Sequence, residues 1–281
     1  MILSIATDYH VTDAVSRAEQ ARRMAAAGFR GVHWCWDWCE YVLYGEPGFE
    51  KARQELAAGG LRLIDTHGSE DKTARCWHED HEIRDRGLRL HEDRIRFTAA
   101  LGGDAVTLHP PGKDALEPGL PRFLDAIRAL EPLCRETRVG LAVENTGHPE
   151  LNRRVFSALF EAFDRELVGL TWDTGHGNLA RDNDWLMANC LDRPMVLHLN
   201  DNRGEKDDHV LPAMGTVDWP KVMAAIRRSP YRKPITLEVG MVKSGYEDED
   251  AFLRAAFEKA VTLAGESATQ LGAESRLKIE Q

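Results

Sequence analysis

The stretch Val168-Gly169-Leu170-Thr171-Trp172-Asp173-Thr174-Gly175-His176-Gly177-Asn178 brings a carboxylate and an imidazole together where an apolar run of strand length gives way to a glycine-containing turn. Taken alone it has a plain reading, in which Asp173 caps a helix starting near Asn178 and His176 fills the turn. Its company argues for more. His67, His109, Glu144, Asp173, His198 and Glu238 all stand at the ends of apolar runs. With 46 acidic residues and 11 histidines in 281, six such endings in succession arise by chance on the order of once in a hundred or rarer for this architecture. Two glutamates, an aspartate and a histidine brought within a few ångströms repel one another unless a cation neutralises them, so the chemistry indicated is that of a divalent metal. Three carboxylates and one imidazole are a harder donor set than a structural zinc site. They suit Mn²⁺ first, with Co²⁺ or Mg²⁺ as alternatives and Zn²⁺ as more imidazoles join.

Residues so far apart in the chain meet only if the fold gathers strand ends. Ile2–Ala6 reads as a first strand, and Thr12 or Asp13 caps a helix running to Ala27, with Gly28 as its stop. Arg30–Cys35, Leu61–Thr66, Asp104–Leu108, Val139–Val143, Val168–Asp173, Met195–Leu197 and Pro234–Leu237 read as seven further strands. Helices are expected from about Pro47 to Ala58, up to Leu101, from Pro121 to Arg138, from Pro149 to Phe163, and over Asn183–Cys190, Val217–Arg228 and Glu249–Ala264. Polar stretches at 68–86 and 199–216 are the long loops. Eight alternations match a (β/α)₈ TIM barrel of the α/β class better than an open doubly wound sheet, whose GxGxxG turn after strand one is missing. In such a barrel all strand C-termini open onto one rim, where catalytic groups sit. Residues 1–265 form the single expected domain, and the polar tail 266–281 is expected to fray or pack on a partner, with a homo-oligomer left open.

Composition narrows the functions. A hydrophobic content of 43% supports a sizeable core, and the N-terminus meets acid too soon for a signal peptide or membrane span, so a cytoplasmic chain without membrane contact is expected. Cys35, Cys39, Cys76, Cys134 and Cys190 are scattered without a CxxC pair and read as reduced thiols, Cys35 and Cys39 as buried ones. A formal charge of −10 argues against a broad electrostatic hold on nucleic acid.

Four segments also match a family. Ala142-Val143-Glu144-Asn145-Thr146, Thr171-Trp172-Asp173-Thr174-Gly175-His176, Leu197-His198-Leu199-Asn200-Asp201-Asn202 and Thr236-Leu237-Glu238-Val239 together resemble the xylose-isomerase-like TIM-barrel superfamily, which includes sugar isomerases, ketose 3-epimerases, inosose dehydratases and endonuclease IV. The resemblance implies that Glu144, Asp173, His198 and Glu238 hold one metal, and that Glu144 and Glu238 shuttle a proton. From the tagatose and psicose epimerase branch it implies substrate contacts for Glu150, His176 and Arg203. From endonuclease IV, with nine ligands for three zinc ions, it implies a ligand set of His67, His109, Glu144, Asp173, His176, His198, Asp207, His209 and Glu238. The segments 174–178 and 211–219 resemble the sugar-isomerase branches instead.

The function these readings favour is a metal-dependent isomerase or epimerase acting on a small carbohydrate or hydroxy-ketone through an ene-diolate, with Glu144 and Glu238 as proton carriers. A polynuclear zinc phosphodiesterase and a dehydratase or lyase of a keto-sugar or keto-inositol are the alternatives, and a barrel that only binds a metabolite would need a decayed metal set. Trp34, Trp36 and Trp38 alternate along the end of strand two, giving either a wall for a sugar ring or an aromatic plug. His78 and His81 fit a solvated loop better than a lid. His33, His91 and His148 have no supporting pattern.

Overall fold

A short apolar strand followed by a helix is the unit this chain repeats, and a computed structural model describing residues 2–265 reveals what the repetition builds. Eight parallel strands, β1 (Ser4–Ala6), β2 (Gly31–Trp34), β3 (Arg62–His67), β4 (Ala105–Leu108), β5 (Gly140–Glu144), β6 (Val168–Asp173), β7 (Pro194–His198) and β8 (Thr236–Leu237), lie in the order β7-β6-β5-β4-β3-β2-β1-β8. The ends of that sheet meet. Leu199 N donates to Thr236 O at 3.0 Å and Glu238 N donates to Leu199 O at 3.2 Å, closing the sheet into a barrel. Around it run α1 (Arg17–Ala27), α2 (Gly45–Ala57), α3 (His81–Ala100), α4 (Leu116–Thr137), α5 (Pro149–Ala162), α6 (Thr174–Leu179), α7 (Asn183–Asn189), α8 (Trp219–Arg228) and α9 (Glu249–Ala264). The molecule is a (β/α)₈ TIM barrel. Helices cover the outside of the sheet and side chains fill its inside, so β5 and β6 are buried at every residue, which is why they read as unbroken apolar runs.

The element starts differ from expectation for local reasons. Ser16, not Thr12 or Asp13, caps α1, its Oγ accepting from Glu19 N at 3.2 Å. Asp80 caps α3 through Glu82 N at 2.8 Å, so the loop after β3 spans 68–80 and ends six residues early. α4 starts at Leu116, five residues before Pro121, and carries Pro121 and Pro132 inside it, each of which removes one i to i−4 hydrogen bond from the helix. The tail 266–281 lies outside the described residues. Among the described residues no helix is long and apolar enough to cross a membrane. Cys35 is buried as expected, whereas Cys39 is exposed, because the chain turns outward after Asp37 (φ 64°).

Candidate metal centre

Glu144, Asp173 and His198 are the last residues of β5, β6 and β7, and Glu238 is the first residue after β8. Adjacent parallel strands put their ends on one rim, and all four side chains are buried there with one donor atom each within 4.8 Å of the others. His198 Nδ1 lies 3.5 Å from Glu144 Oε2 and 3.2 Å from Glu238 Oε2. Both His198 Nδ1 and Glu238 Oε2 are shielded from solvent and have no hydrogen-bond partner. Buried polar atoms are rarely left so, and two of them facing one another in a cluster of three carboxylates fit a cation. The donor set therefore fits a divalent metal.

Two histidine groups flank the quartet. On one side His109 Nε2 lies 2.8 Å from Glu144 Oε2 and His67 Nε2 lies 3.8 Å from the same oxygen. On the other, Asp207 Oδ2 lies 3.3 Å from His176 Nε2 and 3.2 Å from His209 Nε2, while His209 Nδ1 is 3.6 Å from Glu238 Oε2. His67, His109 and Glu144 form one possible ligand group, and Asp173, His176 and His209 another.

The turn after β6 serves both readings of Asp173. Its Oδ1 accepts from His176 N at 2.6 Å and caps α6, while its Oδ2 accepts from Asn200 Nδ2 at 2.8 Å and faces the cluster. Gly175 is required by this arrangement: a Cβ there would sit 1.9 Å from Asn200 Oδ1. Asn145 braces the same residue, accepting from Asp173 N at 2.8 Å and donating to Asp173 O at 2.9 Å. Asp201 accepts from Ala213 N, Val217 N and Trp219 Nε1, and so folds the long 199–216 loop back over the rim with Asp207 and His209 on it.

Such crowding redistributes protons. Burial pushes the His198 imidazole towards neutrality, but Glu238 and Glu144 outweigh it and hold its pKa well above the usual value. Burial also opposes charge on His109 and His209, yet Glu144 beside the first and Asp207 beside the second raise each to about 10. Glu144 and Glu238 are correspondingly lowered against the effect of burial, Glu144 mainly by His109 and Glu238 mainly by His198. Burial raises Asp173 to about 6, and burial with the neighbouring His109 lowers His67 to about 3. Protons on the imidazoles thus balance the carboxylates, a role a divalent cation would take over on binding.

Two adjoining cavities open onto the cluster and share His109, Glu144 and His176. One, of about 330 Å³, is also lined by Asp8, Trp38, His67, Asp207, His209 and Glu238. The other, of about 390 Å³, is bounded by Glu70, Arg75, Trp77 and Lys113. Not every anticipated residue arrives. Glu150 is exposed in the first turn of α5 and Arg203 is exposed in the loop after β7, and neither lines either of these two cavities. Trp34 and Trp36 are a plug rather than a wall: Trp34 packs on Trp36, Tyr44 and Phe97 and donates to Tyr44 Oη at 2.8 Å. The turn at Asp37 breaks the alternation, so Trp38 alone of the three lines the cavity, 4.8 Å from the His67 ring. His78 and His81 stay in and beside the loop. Asp8, Glu70 and Arg75 line the cavities without a periodic signal in the sequence, and His33, which has no supporting pattern there either, places its Nε2 3.1 Å from His198 Nε2.

Fold and site together define a class, a TIM barrel with a buried carboxylate–imidazole cluster at the C-terminal ends of its strands. Residues 21–256 match the xylose isomerase-like TIM barrel family, and the chain belongs to it. It is 28% identical over 261 residues to the uncharacterized protein y4fM of Sinorhizobium fredii, covering 82% of this chain and 83% of that one. It is 25% identical over 213 residues to a probable endonuclease 4 of Listeria monocytogenes, covering 60% and 70%. Among solved structures, D-psicose 3-epimerase with D-tagatose from Clostridium cellulolyticum H10 superposes with a TM-score of 0.75 at 13% identity, over 95% of this chain and all (100%) of that one. The IOLI protein with a binding zinc atom superposes with a TM-score of 0.73 at 14% identity, over 94% and 98%.

Proposed function

We propose that the protein is a divalent-metal-dependent isomerase or epimerase of a small sugar or sugar-derived hydroxy-ketone. Glu144, Asp173, His198 and Glu238 would hold the metal. The observation that carries this reading is the pair of partnerless buried atoms, His198 Nδ1 and Glu238 Oε2, inside a quartet of donors within 4.8 Å of one another. Support comes from the fold neighbours, which include a D-psicose 3-epimerase with D-tagatose and a protein with a binding zinc atom. The bound cation would supply a Lewis acid that eases loss of the proton α to a carbonyl. Glu144 and Glu238, whose strands are separated by β6 and β7, are both ionised at neutral pH and suited to take that proton and return it. His67, His109, His176, Asp207 and His209 would orient hydroxyl groups, and Trp38 offers a ring face in a cavity of about 330 Å³, enough for a small sugar. Mn²⁺ is the first choice of metal, with Co²⁺, Mg²⁺ and Zn²⁺ as alternatives. A dehydratase or lyase would share the same proton abstraction.

The test is a panel of four- to six-carbon ketoses and their phosphates incubated in D₂O with the Mn²⁺-loaded protein. The reading requires at least one to be isomerised with deuterium entering at the exchanged carbon, and Glu238→Gln to abolish that entry. No deuterium entry into any of them, together with nicking of abasic-site DNA, overturns it.

The second reading, a polynuclear zinc phosphodiesterase, has its own observation. Asp207 bridges His176 and His209 while Glu144 is shared with His67 and His109, so that three ligand groups adjoin, and relatives include probable endonuclease 4 proteins. The formal charge of −10 weighs against it, because phosphodiester backbones are held largely by cationic side chains.

A further inference from the structure

On the β2–β3 side, the barrel interior beneath the quartet holds an imidazole and a carboxylate, where branched apolar side chains usually fill it. His33 on β2 and Asp65 on β3 are both 0% exposed. They continue a line of contacts that starts at His198. His198 Nε2 lies 3.1 Å from His33 Nε2, His33 Nδ1 lies 2.7 Å from Asp65 Oδ1, and Asp65 Oδ2 lies 2.8 Å from Lys233 Nζ, which also pairs with Asp104. Lys233 comes from the segment just before β8, so the line runs down the barrel away from the rim. A register shift makes it possible: Val32 pairs with Leu63 but His33 pairs with Asp65, the skipped Ile64 being the extra residue that brings the carboxylate beside the imidazole. Burying charges in this way costs desolvation that only close pairing and hydrogen bonding offset.

The protons along this line have one self-consistent placement when His198 Nδ1 is left bare towards Glu144 and Glu238. His198 then carries its proton on Nε2 and donates to His33 Nε2, His33 carries its own on Nδ1 and donates to Asp65, and Lys233 keeps Asp65 ionised. We propose that His33, Asp65 and Lys233 are positioning residues that lock the His198 tautomer and ring so that Nδ1 presents its lone pair to a divalent metal. The inference rests on the metal-holding role of the quartet proposed above. A metal-bound histidine ordinarily donates its other N–H directly to a carboxylate or carbonyl; in this chain a second imidazole carries the contact onward. His33 is itself within ligand distance of His198 and Glu238, but its Nε2 faces the His198 Nε2 proton at hydrogen-bond distance, and a nitrogen accepting that proton has no lone pair for a metal.

The experiment uses the full chain and Zn²⁺, with affinity measured by competition against a chelator and imidazole tautomers read from long-range ¹H–¹⁵N spectra of the zinc-loaded wild type. The spectra should place protons on His198 Nε2 and His33 Nδ1. His33→Phe and Asp65→Asn should each weaken zinc binding about 10–100-fold without altering the barrel's circular dichroism. His33→Gln, whose amide accepts on one side and donates on the other, should recover most of the affinity, which a role in packing alone would not predict. Adding Lys233→Met to Asp65→Asn should cost little further affinity, since Lys233 then has no Asp65 carboxylate to keep ionised and its remaining partner, Asp104, lies outside the line. Wild-type affinity in a folded His33→Phe protein overturns the proposal, as does a zinc-shifted His33 nitrogen or a proton on His33 Nε2. Should the variants fail to fold, the wild-type spectra decide. A wild type that binds no zinc instead overturns the metal reading beneath it.

Discussion

The quartet and the histidine groups beside it use the same chemistry at different depths. Side-chain exposure is 0% for Asp173 and His198, 4% for Glu144 and 10% for Glu238, but 24% for His109, 21% for His176 and His209, and 43% for Asp207; His67, at 4%, is the one flanking group as deep as the quartet. In the flanks, Asp207 already engages both of its imidazoles and water reaches His109, while the buried His67 donates from Nδ1 to the Gly68 carbonyl at 2.8 Å. In the quartet, little water reaches the donors, and His198 Nδ1 and Glu238 Oε2 face one another at 3.2 Å without a well-aligned hydrogen bond. Depth therefore separates a place that needs a cation from places that tolerate one, because a charge out of water must be matched locally. On this account one metal binds tightly and others weakly.

The largest expected effect tests what the deep site does with its carboxylates. Glu238→Gln should leave a folded barrel but lower turnover of the true substrate by several orders of magnitude, since a ligand and a proton carrier are lost together. Near-normal steady-state turnover would sink that assignment. Next comes the contrast of depth itself: Asp173→Asn should weaken the tight metal by about a hundredfold or more, whereas Asp207→Asn should change it by less than about tenfold. Equal losses in a chelator titration would erase the distinction.

A pH series sharpens the comparison by a smaller amount. In the metal-free protein His109 and His209 are each held at about 10, against about 6.5 in an unfolded chain. A raised pKa contributes stability that is complete below the unfolded value and disappears as pH climbs through the folded one, here from about 6.5 to 10. Metal needs these neighbours neutral, so its affinity should rise over the same interval. Thermal melts at pH 6.5 and 9.5 should show the metal-free protein losing stability and the gain from added Mn²⁺ growing; a gain that shrinks with pH would contradict this. The smallest effects belong outside both regions, with Glu150→Ala and Arg203→Ala expected to change kcat/KM by no more than about twofold. A large loss at either would show that the loops close further than the present structure reveals.

Much of this was legible in the chain because the strand ends carry the information. A carboxylate or imidazole ending an apolar run needs no knowledge of its partners to be noticed, and six such endings require one rim. Asp173 shows why the plain and the functional reading need not compete, since one oxygen caps α6 and the other faces the cluster. His33 was illegible for the opposite reason. It sits inside a strand, and its partners Asp65 and His198 come from β3 and β7, with Lys233 on the approach to β8 reached only through Asp65; only the register shift at Val32/His33 aligns them, and a shift of one residue leaves no trace in composition or period. The tryptophans misled for a related reason, because strict alternation fails once the chain turns at Asp37.

The most direct test of the account is elemental analysis of the purified protein after exhaustive dialysis, set beside the Asp173→Asn variant. One equivalent of a divalent metal per chain in the wild type and none in the variant is the predicted result. No retained metal in the wild type, or an undiminished equivalent in the variant, would contradict the claim that the buried quartet is a metal centre.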